Sequence, residues 1–198
     1  MFTVHKFENV PIDSVTYIVS NPQNNQAIII DPGTENDERI VDYLEKYSLR
    51  PVFIMLTHEH FDHILGVNYL REKNPTILVI SSAKTSERLS NPKKNLAIFH
   101  NQINLMVKES DILVEEGKFN YIDLDFEIYK TPGHTDSSIS IKLNDVFFSG
   151  DFLLQGSRIV TNLPTGSKEQ YLDCINKYKE LLRNLTIYPG HGEAYIYK

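Results

Sequence analysis

Cysteine is all but absent from this chain of 198 residues: Cys174 stands alone, so no internal disulfide can form, and a lone thiol fits a reducing compartment. Long apolar runs are missing too. Nothing approaches the roughly 18 residues that cross a bilayer, and the opening MFTVHKFENV lacks the apolar stretch of an export signal. The expectation is a soluble, cytoplasmic protein with no membrane contact. Positive charge is in deficit, with 20 Lys and Arg against 26 Asp and Glu and a formal charge of -6, which argues against nucleic acid as a partner. Nine Gly, nine Pro and 41% hydrophobic residues exclude collagen-like and disordered chains. What remains is one globular domain spanning residues 1–198.

Apolar periodicity divides that domain into short strands and amphipathic helices. Residues 15–19, 27–31 and 52–56 read as strands, the last two apolar enough to be covered on both faces. Residues 38–47 space Ile40, Val41, Leu44 and Tyr47 along one helical face, and a second helix is expected from near His63, with Ile64, Val67 and Leu70 inward. Residues 77–80 read as a further strand. The polar stretch 81–101 is the least regular, a candidate lid or short helix whose Lys84, Arg88, Lys93 and Lys94 read as a solvated charged face. Strands follow over 112–114, 121–129, 139–143 and 146–148, the last two joined by a tight turn at Asn144-Asp145. Ser167 and Gln170 resemble a capping box before a helix over 168–182, and the final strand runs over 185–188. Strand-rich halves with covering helices imply two sheets packed face to face between helical layers, an α/β (α+β) class.

Five of the seven histidines fall in three short motifs. Thr57-His58-Glu59-His60-Phe61-Asp62-His63 directly follows the strand over 52–56. Buried ring nitrogens need partners, and neutral imidazole is the commonest metal ligand, so this loop reads as metal-binding. Side chains two apart in an extended segment point the same way. His58 and His60 can therefore converge on one ion, while Asp62 and His63, past the turn, face a second. His134 in Thr131-Pro132-Gly133-His134-Thr135, Asp151 in Phe148-Ser149-Gly150-Asp151 and His191 in Pro189-Gly190-His191 each follow a predicted strand. Gly133, Gly150 and Gly190 each precede the ligand, where the missing Cβ permits a sharp turn.

The series THEHFDH, TPGHT, SGD and PGH across residues 57–191 resembles the metallo-β-lactamase superfamily. Within it the chain is most similar to short, single-domain proteins related to hydroxyacylglutathione hydrolase (glyoxalase II), and Ile30-Asp31-Pro32-Gly33 matches a strand-end turn those proteins carry upstream. The resemblance implies a four-layer αββα sandwich with a dinuclear site on one edge. Carried over residue by residue, His58, His60 and His134 hold one metal, Asp62, His63 and His191 the other, and Asp151 bridges them. Two divalent ions are implied, zinc first, with iron or manganese as alternatives, and Asp62 and Asp151 are the catalytic carboxylates.

The reaction implied is hydrolysis of an acyl bond in a small molecule, a thioester first, by a hydroxide that two ions about 3.5 to 4 Å apart can share. A thiol of pKa about 8.5 leaves without a protein acid. Arg158, in the Gly156-Ser157-Arg158 loop beyond Asp151, is expected to touch substrate. Asp31, Thr57 and Thr135 are expected to orient the ligands from behind. Glu59 is expected to point away from the site, and His5 and His100 read as surface residues. An antibiotic β-lactamase is disfavoured by the missing export signal and by Asp62, which completes the second metal set in the hydrolase manner. None of these motifs specifies an oligomeric state. A mononuclear iron persulfide dioxygenase and a lactone or ester hydrolase of the same fold are the competing readings, since imidazole and carboxylate suit zinc and iron alike.

Overall fold

Alternation along the strands decides which layer each residue joins. In a computed structural model that describes residues 2–198, Val15–Asn21 (β2) turns Tyr17 and Val19 to one side and Ile18 to the other, and Gln26–Ile30 (β3) divides Ile28 and Ile30 from Ala27 and Ile29 in the same way. With Thr3–Glu8 (β1), Arg50–Met55 (β4), Leu78–Ser81 (β5) and Ile112–Leu113 (β6), these form a six-stranded sheet in chain order. It is antiparallel from β1 to β3 and parallel from β3 to β6. Gly117–Tyr121 (β7), Leu124–Lys130 (β8), Ile139–Leu143 (β9), Val146–Gly150 (β10), Thr186–Pro189 (β11) and Tyr195–Ile196 (β12) form the second, in the order β12-β11-β10-β9-β8-β7. Only β10 and β11 run parallel there.

Three apolar layers follow from that alternation. Tyr17, Val19, Ile28, Ile30 and Met55 meet Phe126, Ile128, Ile141 and Phe148 between the sheets. On the outer face of the first sheet, Ile18, Ile29 and Ile54 meet Ile40 and Leu44 of Glu38–Lys46 (α1), Ile64 of Phe61–Ile64 (α2), and Val67 and Leu70 of Val67–Lys73 (α3). A further short helix, Ala83–Arg88 (α4), ends at the buried Leu89. On the outer face of the second sheet, Phe147 and Ile187 meet Cys174, Tyr178 and Leu182 of Lys168–Leu182 (α5). The result is an αββα sandwich. Burying each large aliphatic or aromatic side chain contributes about 1.5 to 3 kcal/mol, so the middle layer, with two sheets closing on it, dominates cohesion.

Several elements differ from the sequence reading. The run over 121–129 is a hairpin rather than one strand: Ile122 and Asp123 take φ of 52° and 59° and turn β7 back onto β8. Both centre residues of such a two-residue turn need positive φ, and without an Asn-Gly or Asp-Gly signature the sequence conceals it. The second helix begins at Phe61, before His63, and breaks at Leu65 and Gly66, where the Gly66 amide donates to Pro32 O at 2.8 Å. β1 had no counterpart in the periodicity because its side chains are mostly half-exposed. Segment 81–101 holds α4 and a 3-10 turn, Ala97–His100. Ser167 caps α5 by accepting the Gln170 amide, while its own amide donates to Gly133 O at 2.8 Å in place of the reciprocal Gln170 bond.

Candidate metal centre

Strand ends from both sheets open onto one edge of the sandwich. Asp31 follows β3, residues 57–63 follow β4, His134 lies between β8 and β9, Asp151 follows β10, and His191 follows β11. Hydrogen bonds to backbone carbonyls hold these ends together across the two sheets. The Ile139 amide donates to Thr57 O at 2.9 Å, the Val15 amide to Gly190 O at 2.7 Å, and the Tyr17 hydroxyl to Pro189 O at 2.8 Å. The Gly190 amide donates to Gly150 O at 2.8 Å, so the turns bearing Asp151 and His191 are one unit.

All seven residues proposed as ligands are brought together. His58, His60 and His134 each place a ring nitrogen within 4.8 Å of the others, and Asp62, His63 and His191 form a second such set. Asp151 reaches both: Oδ2 lies 3.3 Å from His134 Nε2 and 3.5 Å from His191 Nε2, and Oδ1 lies 3.5 Å from His63 Nε2. Two glycines make that crowding possible for different reasons. Gly150 takes φ +50°, as a sharp turn requires, whereas a Cβ on Gly190 would stand 2.2 Å from Asp151 Oδ1. Close approach, not left-handed backbone, is what position 190 needs.

A layer of hydrogen bonds behind the rings fixes their orientation. Asp31 accepts the Thr57 amide at 2.8 Å and the Thr57 hydroxyl at 2.6 Å. That hydroxyl is then left to accept from His58 Nδ1 at 3.0 Å, and His63 Nδ1 donates to Asp31 Oδ2 at 3.1 Å. His134 Nδ1 donates to Val160 O at 2.8 Å. In each of these three rings Nδ1 is committed to the outer partner, which leaves Nε2 facing the shared centre. Thr135 is different: its hydroxyl bonds Ser137 and Ser138 and shapes its own turn without touching a ligand.

The electrostatics follow from burial and from which charges face each ring. Burial and the neighbouring imidazoles hold His58 well below the usual histidine range and take His60 to about 3. Burial acts the same way on His63 and His191, but carboxylates outweigh it. Asp62, Asp151 and Asp31 raise His63 to about 9, and Asp151 and Asp62 raise His191 to about 11. Burial would raise both carboxyls. Even so, the surrounding imidazoles hold Asp62 below its ordinary value and Asp151 well below it. Both are anionic.

These residues fit a metal. His58 Nε2, His60 Nε2, His63 Nε2 and Asp151 Oδ1 are buried without any hydrogen-bond partner. His60 Nδ1 lies only 2.9 Å from His134 Nε2, two ring nitrogens that face one another at the shared centre. Buried polar atoms left without a partner cost about 1 to 3 kcal/mol each, and a cation bound among them removes that cost. Nitrogen and carboxylate donors suit zinc, iron and manganese.

The remaining sequence expectations divide. Ile12, Phe61, Leu96, His100, Val160 and Leu163 wall a cleft of about 180 Å³ over His60, Asp62, His134 and Asp151. His100, expected as a plain surface residue, stacks on Phe61 at 4.3 Å and borders this cleft, a placement that no motif signalled. Arg158 lies outside it, in an adjoining cavity with Lys168, Tyr171 and Asn162 that shares Val160 with the cleft. Glu59 does turn away from the ligands, yet it is fully buried, paired with Arg88 at 2.8 Å. Arg88 is therefore no solvated charge: its side chain is 11% exposed, and it also binds Asp136 at 2.6 Å.

Comparison with known proteins agrees with this geometry. A family model described as the metallo-beta-lactamase superfamily matches residues 10–191. Probable metallo-hydrolase YqgX of Bacillus subtilis (strain 168) is 33% identical over 186 residues, covering 92% of this chain and 86% of that protein. Hydroxyacylglutathione hydrolase 1 of Vibrio vulnificus (strain YJ016) is 32% identical over 183 residues, 91% of this chain, which spans 62% of that relative's length. Among solved structures, BLEG-1 B3 metallo-beta-lactamase superposes with a TM-score of 0.90 at 30% identity, covering 98% of this chain and 93% of that one. ETHE1 from Myxococcus xanthus gives 0.78 at 26% identity, covering 96% and 76%. Among the described residues, no helix is long and apolar enough to cross a membrane.

Proposed function

The chain belongs to the metallo-beta-lactamase superfamily, and within it we propose a dinuclear hydrolase of acyl bonds whose substrate is a small thioester on an anionic carrier. The observation that carries this reading is the convergence of five imidazoles and two carboxylates beside a cleft, with four of their ring nitrogens and carboxylate oxygens buried and without a hydrogen-bond partner. His58, His60 and His134 would hold one ion, Asp62, His63 and His191 the other, and Asp151 both. When bound, such ions lower the pKa of water and polarise the acyl carbonyl. Asp62 and Asp151, both anionic, would hold the ions and could accept a hydrogen from a water between them.

The walls decide what is cleaved. Ile12, Phe61, Leu96, Val160 and Leu163 seat the acyl group and exclude bulk water. A thiolate of ordinary basicity departs without a proton donor, so the cleft needs no acid. Past Val160, Arg158 and Lys168 face the adjoining cavity of about 610 Å³ and favour a carboxylate- or phosphate-bearing carrier. The whole of residues 1–198 acts as one unit in this reading.

Metal analysis alongside S-lactoylglutathione hydrolysis tests it. Two divalent ions per chain, with turnover lost to a chelator and restored by zinc, is the expected outcome. Replacing Arg158 with Glu should raise KM for an anionic thioester and leave kcat in place. A single iron with oxygen uptake on a persulfide would replace hydrolysis by dioxygenation. Turnover of a lactone or β-lactam without any thioester would move the substrate class.

A further inference from the structure

Of the three histidines in the first metal set, one has no support of its own. His58 leans on Thr57 and His134 on the Val160 carbonyl, but among the described residues the only hydrogen-bond partner of the His60 ring is His134, and its Nε2 is bare. Nothing behind the ring fixes it. Its aim comes from the backbone of residues 58–60, which main-chain bonds hold at its two ends, at Thr57 and Phe61, and which Glu59 holds at its middle.

Glu59 lies between the two ligands and is fully buried, with both carboxylate oxygens engaged. Oε2 accepts the Ser137 hydroxyl, and Oε1 accepts Arg88 Nη1 at 2.8 Å. The same Nη1 donates to Asp136 Oδ1 at 2.6 Å, while Lys84 holds the other Asp136 oxygen at 2.7 Å. Asp136 and Ser137 follow His134 by two and three positions. The Ser82 hydroxyl, at the start of α4, donates to Ser137 O at 2.8 Å. One short helix thus grips two loops that arrive from different sheets and carry between them the whole first set.

We propose that Arg88 is a positioning residue: by tying Glu59 to Asp136 it sets the distance between His60 and His134 and so the affinity of the ion they share with His58. Ion pairs this buried need not add stability, since well-packed apolar replacements are often neutral, so a stabilising role does not by itself account for the arrangement. The ring centroids of the set stand 4.7, 4.7 and 5.0 Å apart, and a shift of either loop by a fraction of an ångström would open that triangle.

The test rests on the ligand assignment above and keeps the two apart. Metal-stripped protein is titrated with zinc against a chromophoric chelator, resolving both ions, and the thermal unfolding of the metal-free protein is followed in parallel. Wild type that takes up no metal refutes the assignment itself, before any variant is compared. Given metal uptake, R88M should weaken one ion by about 10- to 100-fold and leave the other near its wild-type affinity. E59Q/R88M, which removes the unpaired buried carboxylate, should recover metal-free thermal stability without recovering that affinity. R88K keeps the charge but ends its stem one bond short of Nη1, and it supplies the answer if R88M does not fold; it should show a smaller loss at the same ion. Wild-type affinity for both ions in a folded variant overturns the proposal. So does an equal loss at both ions that tracks unfolding temperature.

Discussion

Replacing Asp31 with Asn alters little more than one atom behind the imidazoles. Oδ2 accepts the Thr57 hydroxyl at 2.6 Å and His63 Nδ1 at 3.1 Å, and Oδ1 accepts the Thr57 amide at 2.8 Å. An amide cannot repeat this: in either orientation its NH₂ faces a donor. Asp31 has φ 50°, which Asn adopts as readily as Asp, so the backbone is not perturbed. The lost bonds are to a charged group and are worth about 1.5 to 3 kcal/mol each in favourable cases. They also hold the His58 and His63 protons on Nδ1, so Nε2 of each ring loses its fixed aim. Zinc affinity should fall about 10- to 100-fold, roughly 1.4 to 2.7 kcal/mol, with kcat falling alongside it and secondary structure intact by circular dichroism. Competition titration against a chelator reads the affinity directly. A folded D31N protein that binds both ions as tightly as wild type would refute the claim that this layer aims the ligands.

Asp151→Ala removes the carboxylate that faces the Nε2 atoms of both ligand sets, and should cost one of the two proposed ions and most of the turnover while the fold persists; unimpaired hydrolysis ends the bridging assignment. Zinc uptake near pH 7 should release protons, because His63 and His191 hold theirs in the metal-free protein, with values of about 9 and 11. Their raised values also stabilise the metal-free fold below about pH 6.5, and that contribution fades as pH rises through about 9 for His63 and then about 11 for His191. Zinc affinity should climb over the same range as metal-free stability declines, and calorimetry in buffers of different ionisation enthalpy, with unfolding scans, would expose parallel slopes if the reasoning is wrong. Gly190→Ala places a methyl 2.2 Å from Asp151 Oδ1 and should abolish activity without a change of φ; normal turnover in that variant would show that the turn has room to spare.

The ligands were legible in the sequence because each sits at the end of a strand whose apolar pattern is strong, as in Val146–Gly150 before Asp151. The layers were legible for the same reason, since alternation such as Ile28 against Ile29 encodes which face each residue joins. What escaped had weaker local signatures. The Ile122-Asp123 turn carries no glycine, and β1 presents alternating half-exposed side chains at the sheet edge. Arg88 reads as one charge among several until its two partners, 29 and 48 positions away, are seen beside it. His100 borders the cleft from a 3-10 turn flanked by left-handed residues at Leu96 and Asn101 and stacked on Phe61. Long-range pairing of polar residues leaves no periodic trace for a sequence to show.

The same division bears on how the site is built. Each sheet alone supplies an incomplete set: the first carries His58, His60, Asp62 and His63, the second His134, Asp151 and His191. Under the proposed assignment neither ion would therefore be fully liganded until Tyr17, Ile28 and Met55 have closed on Phe126, Ile141 and Phe148 and the strand ends have docked. The docking is reinforced where it counts, by Val15 to Gly190 and Ile139 to Thr57 on one side of the rings and by Arg88 on another. Binding free energy of a metal to such a site is folding free energy for the contact between the sheets. A mutation in the middle layer, outside the ligand set, should then act on metal affinity as well as on the fold: truncating Phe148, three positions before Asp151, should loosen the packing that sets the distance from Asp151 to His134 and His63 alike. Ligand residues in the loops select the chemistry, but the apolar contact between the sheets sets how tightly it is held.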